Sequence, residues 1–334
     1  MKKYNVAVVG ATGVVGRKMT EVLQERKIPV ENFYPMASKK SAGSKVEFNG
    51  KQWTVEELTE NSFNKDIDFA LFSAGGSTSE KYAPIAAENN VVVIDNSSAW
   101  RMDKNVPLVV PEVNAEAALK HNGIIANPNC STIQAVVALK PIYDNYGIKR
   151  IIYSTYQSVS GSGLKGIKDL EEGIKGCEPE FYPVQIAFNC IPHIDVFFEN
   201  GYSKEELKMI NETQKIFDDY DIKITATTVR VPVYYAHSES INVETKKPFD
   251  IKDIFRTYDE MKGVVLMDDL DNLIYPTPVE AAGSDEVYVG RIRRDFSIEN
   301  GLNMWVVADN VRKGAATNAV QIAEYLISQG EFDK

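Results

Sequence analysis

The stretch YNVAVVGATGVVG, residues 4–16, decides the fold. A β-branched run ends at Gly10, and glycines recur at Gly13 and Gly16 as helical spacing begins, continuing to about residue 26. Glycines between a strand and a helix permit a tight turn and let main-chain N–H groups approach a pyrophosphate, which the helix N-terminus attracts. The spacing is G-x-x-G-x-x-G rather than the commoner G-x-G-x-x-G, so the flanking strand and helix carry the reading as much as the glycines do.

Working outward, further strands are expected over residues 30–37, 67–74, 91–96, 107–111 and 123–128, with helical patterns between several of them. This alternation predicts a doubly wound, Rossmann-like parallel sheet. After residue 150 the texture changes to long alternating stretches such as IKITATTVRVPVYYAHSESINVET, residues 222–245. Their Thr, Tyr and Val content predicts an α+β domain with a largely antiparallel sheet, wet on one face. Helical spacing returns in the last segment, so the expected division is residues 1–128 completed by a C-terminal helix over 311–334, and a second domain over 129–310.

At 334 residues the chain can build two sizeable cores. With 37 basic against 47 acidic residues the net charge is -10, which argues against nucleic acid or an anionic membrane as the main partner. No stretch approaches the roughly 18 uninterrupted apolar residues of a membrane span. The apolar run after Lys2 and Lys3 is broken by glycine and reads as a strand, not a secretory signal. Three cysteines, Cys130, Cys177 and Cys190, are too few and scattered for a disulfide framework, so reduced thiols and a cytoplasmic location are expected.

An NAD site usually ends its second strand with an acid that binds the ribose 2′-hydroxyl. Here MASKKSAG, residues 36–43, offers Ser38, Lys39 and Lys40 and no carboxylate, which suits the 2′-phosphate of NADP.

In NPNCST, residues 127–132, Cys130 opens a helical pattern. A cysteine there is either a small buried hydrophobe or a nucleophile whose thiolate the helix dipole stabilises. A nucleophile needs a base, and the chain has three histidines. His121 ends a helix in LKHNG and reads as a surface residue. His193 forms a C-x-x-H pair with Cys190, but no second pair completes a metal site, and no metal is expected. His237 follows Arg230 by seven residues, so the two cannot share a strand face by alternation; a bend near Pro232 could still bring both to one pocket.

GATGVVG, SSAWRM (97–102), NPNCST, QSVSGSG (157–163), EELK (205–208), VRVPV followed by HS, and DNVRKGAATNAVQ (309–321) occur in this order. By this set the chain closely resembles the aspartate-semialdehyde dehydrogenase family over residues 4–328. The resemblance implies reversible NADPH-dependent reduction of L-4-aspartyl phosphate to L-aspartate 4-semialdehyde and phosphate through a cysteine thioester. That reaction belongs to the biosynthesis of lysine and diaminopimelate, methionine, threonine and isoleucine.

The family nucleophile falls on Cys130 and its general acid/base on His237. Substrate contacts fall on Gln157, Arg230 for the α-carboxylate, Glu205 for the amino group, and Asn129; phosphate contacts fall on Arg101 and Lys208. Cofactor contacts fall on Gly10, Thr12, Gly13, Val14, Val15, Ser38, Lys39, Ser73, Ser160, Gly161 and Asn310. The second domain is then a catalytic and dimerisation domain, and a homodimer or homotetramer is expected. The rival readings are N-acetyl-gamma-glutamyl-phosphate reductase, whose neutral acetamide has little use for Glu205, and a non-catalytic NADP-binding protein.

Overall fold

The computed structural model describes residues 2–333. The chain divides into two compact units, Met1–Asn129 with Ala315–Lys334, and Cys130–Gly314.

The first unit contains β1 (Tyr4–Val9), α1 (Val14–Glu25), β2 (Val30–Ala37), a hairpin of β3 (Lys45–Phe48) and β4 (Lys51–Thr54), and the short β5 (Glu56–Glu57). It continues with β6 (Phe69–Phe72), α2 (Gly76–Glu88), β7 (Val92–Asp95), α3 (Pro111–Asn114) and β8 (Ile124–Ala126), and ends with the C-terminal helix Thr317–Ser328. Six strands form a parallel sheet in the order β5-β2-β1-β6-β7-β8. Every residue of β6 and β7 is buried, as a parallel sheet covered on both faces requires. Met19, Val22 and Leu23 of α1 join Val320 and Leu326 of the C-terminal helix in its core, each side chain contributing about 1.5–3 kcal/mol.

The strand order reverses between β1 and β6, which opens a crevice beyond their carboxyl ends. Gly10 closes β1 there at φ 86°, and a Cβ on it would stand 2.4 Å from the Ser73 carbonyl oxygen. A Cβ on Gly16 would stand 2.1 Å from the Gly10 oxygen, so α1 can lie on the strand only if residue 16 has no side chain.

The strand expected over residues 107–111 is not formed. Leu108 makes a single bridge to Ala126, and Pro111 opens α3 instead, because prolines at both ends withhold the N–H groups a ladder needs.

The second unit contains α4 (Cys130–Tyr146), β9 (Ile148–Gln157), α5 (Gly163–Ile174), α6 (Lys204–Phe217), β10 (Lys223–Arg230) and β11 (His237–Thr245). After these come α7 (Ile251–Asp259), β12 (Val264–Leu266), α8 (Pro278–Ala281), β13 (Val287–Asp295) and β14 (Gly301–Ala308). Its sheet is mixed, in the order β10-β9-β11-β14-β13-β12, with β9, β11, β14 and β13 antiparallel in sequence and a parallel pair at each edge. The long stretch 222–245 therefore splits into two strands that do not touch, because β9 lies between them.

Along β9 the odd residues from Ile151 to Gln157 are buried and the even ones are half-buried or exposed, so one face is covered and the other open. On the covered face the registers build rows across the strands. Arg230 pairs with Gln157 and His237 with Ala308; one step down, Thr228 pairs with Thr155, Thr155 with Glu239, and Glu239 with Val306.

Glu239 is fully buried, and neither of its carboxyl oxygens has a hydrogen-bond partner among the described residues. Burial, reinforced by the Glu205 carboxylate, pushes its carboxyl well above the usual range. Above the unfolded value of 4.5 the unfolded chain releases this proton while the folded chain keeps it. Stability therefore falls as pH rises above that value, until the folded value is passed. Glu239→Gln removes that penalty; urea unfolding should show a higher midpoint than the parent at pH 8 and a shallower pH dependence between pH 5 and 8.

Candidate active site

In the first unit a cavity of about 470 Å³ lies at the carboxyl ends of β1, β2 and β6. Its lining includes Gly10, Thr12, Gly13, Ser38, Lys39 and Ser73, all expected cofactor contacts. Val14 and Val15 open α1 outside that lining. No side chain caps Gly13 and the first turn of α1 has no acid, so the N–H groups there remain available to an anion. Ser38 and Lys39 stand exposed at the end of β2, where a 2′-phosphate would meet a hydroxyl and an ammonium. These residues fit a nicotinamide dinucleotide with that phosphate.

Arg101 and Asn129 are buried in the same unit. Arg101 donates from Nε to the Asn127 carbonyl oxygen at 2.9 Å and from Nη2 to that of Asn96 at 2.9 Å. Asn127 in turn donates to Asn96 Oδ1 at 2.7 Å and accepts from Asn318 Nδ2 at 2.7 Å. The first asparagine of NPNC thus anchors the segment leading to Cys130, with a partner nearly two hundred residues away that no local signal marks.

In the second unit Cys130 is the first residue of α4 and half-buried. Gly314 packs against it, since a Cβ there would stand 2.9 Å from Cys130 Cβ. One helical turn on, Gln134 donates to the His237 carbonyl oxygen at 3.2 Å and so ties the cysteine's helix to β11.

His237 and Arg230 meet through Ser158. The Ser158 N–H donates to His237 Nδ1 at 3.0 Å, and Arg230 Nη1 donates to the Ser158 carbonyl oxygen at 2.7 Å. Arg230 Nε and His237 Nε2 have no hydrogen-bond partner among the described residues although both are buried. The main chain of Gly161 closes on both, because a Cβ there would lie 3.0 Å from Arg230 Nη1 and 3.4 Å from His237 Nε2. Burial first, and then the Arg230 charge, push the His237 pKa down to about 3, against weaker upward pulls from Glu205 and the Ala236 main chain. The imidazole is therefore neutral at physiological pH.

Ser160 and Asn310 join the same knot. Asn310 Oδ1 accepts from Ser158 Oγ, Ser160 Oγ and the Ala236 N–H, and Asn310 Nδ2 donates to Ser160 Oγ. Both residues spend these groups on positioning strand ends.

On the other side Gln157 Nε2 donates to Glu205 Oε1 at 3.1 Å, and Thr155 Oγ1 donates to Gln157 Oε1 at 2.9 Å. Lys208 Nζ lies 2.9 Å from both Glu205 Oε2 and Asp195 Oδ2. Burial works to lower the Lys208 pKa, but the two carboxylates outweigh it and leave it raised. The ammonium expected to meet phosphate is thus already shared between two acids, one of which, Asp195, the sequence does not mark. Ser203 and Glu206 set the helix carrying Glu205 and Lys208 through a reciprocal capping box.

The remaining histidines differ from each other. His121 is not a plain surface residue: its Nδ1 accepts from the Gly123 N–H at 3.0 Å, and Glu331 lies 3.7 Å from Nε2. His193 stacks on Phe197, and Cys177 and Cys190 are exposed. Sequence reasoning does not mark Ser158 or Thr155: Thr155 is one hydroxyl among several in a strand, and Ser158, just past the end of β9, carries no signal beyond its place in the QSVSG stretch.

With this geometry in view, comparison with known proteins is specific. Residues 5–121 match the family described as "Semialdehyde dehydrogenase, NAD binding domain", and residues 139–313 match "Semialdehyde dehydrogenase, dimerisation domain". The aspartate-semialdehyde dehydrogenase of Aquifex aeolicus is 58% identical, covering 98% of this chain and 99% of the relative. That of Shewanella violacea is 54% identical, with 98% of each chain covered. Among solved structures, aspartate semialdehyde dehydrogenase II of Vibrio cholerae complexed with ASA is 53% identical, with a TM-score of 0.94 over 98% of this chain and 99% of that one.

Proposed function

The chain belongs to the aspartate-semialdehyde dehydrogenase family, a family of oxidoreductases, and we propose how its own residues carry that reaction. Cys130 attacks the acyl carbon of L-4-aspartyl phosphate, phosphate leaves, and a thioester remains on the sulfur. The glycine turn with Ser38 and Lys39 would hold NADPH, whose chemistry would be to supply a hydride to the thioester carbon. Arg230 holds the substrate α-carboxylate with donors in a planar fork, and Glu205 meets the α-ammonium. Gln157, hydrogen-bonded to Glu205, contacts the substrate from the second unit, and Asn129 is the further substrate contact that the family motif implies. Arg101 and Lys208 receive the phosphate, Lys208 by leaving one of its two carboxylates. His237 works through Nε2 on the reacting oxygen and sulfur.

The observation that carries this reading is the pair of buried nitrogens without partners among the described residues, Arg230 Nε and His237 Nε2, held on either side of Ser158. Unpaired buried polar groups cost about 1–3 kcal/mol each, a cost a bound carboxylate and a reacting atom would offset. A neutral acetamide in place of the ammonium would leave Glu205 without its charge partner, which sets aside the acetylglutamyl reading.

The test is phosphate-dependent reduction of NADP by aspartate semialdehyde. Glu205→Gln should raise KM for the semialdehyde by about 10- to 100-fold, the loss of one charge-assisted hydrogen bond. An unchanged KM would remove Glu205 from the substrate site.

The open face of the second unit's sheet carries Tyr156, 40% exposed, against Trp305 at 5.4 Å between ring centres. A second copy of the chain covers this face in a homodimer, in keeping with the matched dimerisation domain. No helix among the described residues is long and apolar enough to cross a membrane, and the reaction runs in the cytoplasm, where its thiol stays reduced.

A further inference from the structure

We infer that Asp195 is a positioning residue for phosphate: it competes with phosphate for the Lys208 ammonium and so sets how tightly phosphate is held. The inference rests on the functional reading above in one respect, that Lys208 receives the phosphate.

Residues 175–203 run from α5 to α6 without forming a helix or a strand of their own. This long loop is tied down on both sides of Asp195. Ile191 exchanges both main-chain hydrogen bonds with Arg230, at 2.9 and 2.8 Å, and the Lys204 N–H donates to the Val196 carbonyl oxygen at 2.8 Å. Between these ties Asp195 has φ 67°, and its Oδ1 accepts from the Val196 N–H at 2.9 Å. The main chain thus fixes the carboxylate, whose Oδ2 accepts from Lys208 Nζ at 2.9 Å.

The two acids that share this ammonium are not equivalent. Glu205 stands three residues before Lys208 on α6, its side chain is 6% exposed, and its Oε1 accepts from Gln157. Asp195 lies on the loop and is the more open of the two, with 32% of its side chain exposed. Burial works to raise the Asp195 carboxyl, but the Lys208 ammonium and the Val196 N–H outweigh it and leave it lowered. Asp195 is therefore an anion at neutral pH.

A phosphate dianion at Lys208 stands beside that anion, and like charges sharing one cation repel. Asp195 is the carboxylate that yields, because water can solvate it while Glu205 stays engaged with Gln157 and the substrate ammonium. When phosphate departs, the ammonium returns to Asp195 and is never left without an anion. The built-in carboxylate thereby weakens phosphate binding and favours phosphate release.

Asp195→Asn removes the charge with little change of shape. Asparagine tolerates a left-handed backbone, and its side-chain oxygen can still accept from the Val196 N–H. In phosphate-dependent reduction of NADP by aspartate semialdehyde, this variant should lower KM for inorganic phosphate about 5-fold, the upper end of what a partly exposed ion pair contributes. In the reductive direction, product inhibition by phosphate should strengthen by the same factor. General damage to the site would move both values the other way. If the asparagine variant fails to fold, Asp195→Ser removes the same charge and carries the same expectation. An unchanged or higher KM for phosphate overturns the inference.

Lys208→Met separates the inference from the reading beneath it. This variant should raise KM for phosphate at least about 10-fold, the loss of one hydrogen bond between charged groups, and adding Asp195→Asn to it should restore nothing. A gain that persists in the double variant overturns the inference while leaving Lys208 as the phosphate contact. An unchanged KM in Lys208→Met removes Lys208 from the phosphate site, and the inference falls with it.

Discussion

Cys130→Ala is expected to lower kcat of phosphate-dependent NADP reduction by at least about 10⁴-fold, because no thioester can form and the reaction loses its two-step path. The change should be confined to chemistry. The cofactor cavity belongs to the first unit and includes no part of Cys130, so dinucleotide affinity, read from fluorescence, should stay within about two-fold of the parent. Alanine at a half-buried helix start adds no bulk against Gly314, and the fold should be retained. Cys130→Ser keeps the shape while replacing a readily ionised thiol by a hydroxyl, and it should be nearly as inactive. Activity surviving in the alanine variant would exclude the thioester mechanism.

Arg230→Leu should reduce kcat/KM by about 10³-fold, through two separate losses. The first is charge-assisted binding of the α-carboxylate, and the second is the 2.7 Å bond to the Ser158 carbonyl oxygen that positions His237. Arg230→Lys restores a charge without the planar fork, so it should recover only part of the loss, mostly in KM. The division can be read by comparing kcat and KM in the two variants. A leucine variant within ten-fold of the parent would mean that Arg230 neither binds substrate nor holds Ser158 in place.

Much of this site was legible in the residues. Glycines at 10, 13 and 16 mark the dinucleotide turn because each relieves a steric conflict that can be anticipated from a strand entering a helix. Cys130 before a helical pattern, and Glu205 with Lys208 three apart, could be read the same way, since both depend on local geometry. The resemblance supplied roles for Gln157, Arg230 and His237 that spacing left open.

Other features were not legible. Residues 107–111 have strand composition, yet two prolines limit them to one bridge. His121 looked like a surface residue because the contacts that bury it, Gly123 and Glu331, include one two hundred residues away. Asp195 and Asn318 are ordinary polar residues in sequence, and each gains its role from a partner on a distant segment.

By itself the sequence determined the order of strands and helices, the glycine turn and the kinds of chemistry available, because propensity, periodicity and close packing at a turn act over a few residues. Only the tertiary structure decided that β9 runs between β10 and β11, that Ser158 thereby stands between Arg230 and His237, and that Glu239 is buried without a partner. Strand pairing and register join residues far apart in the chain. The Ser158 main-chain N–H reaches the His237 ring for the same reason, a contact that no side-chain identity records.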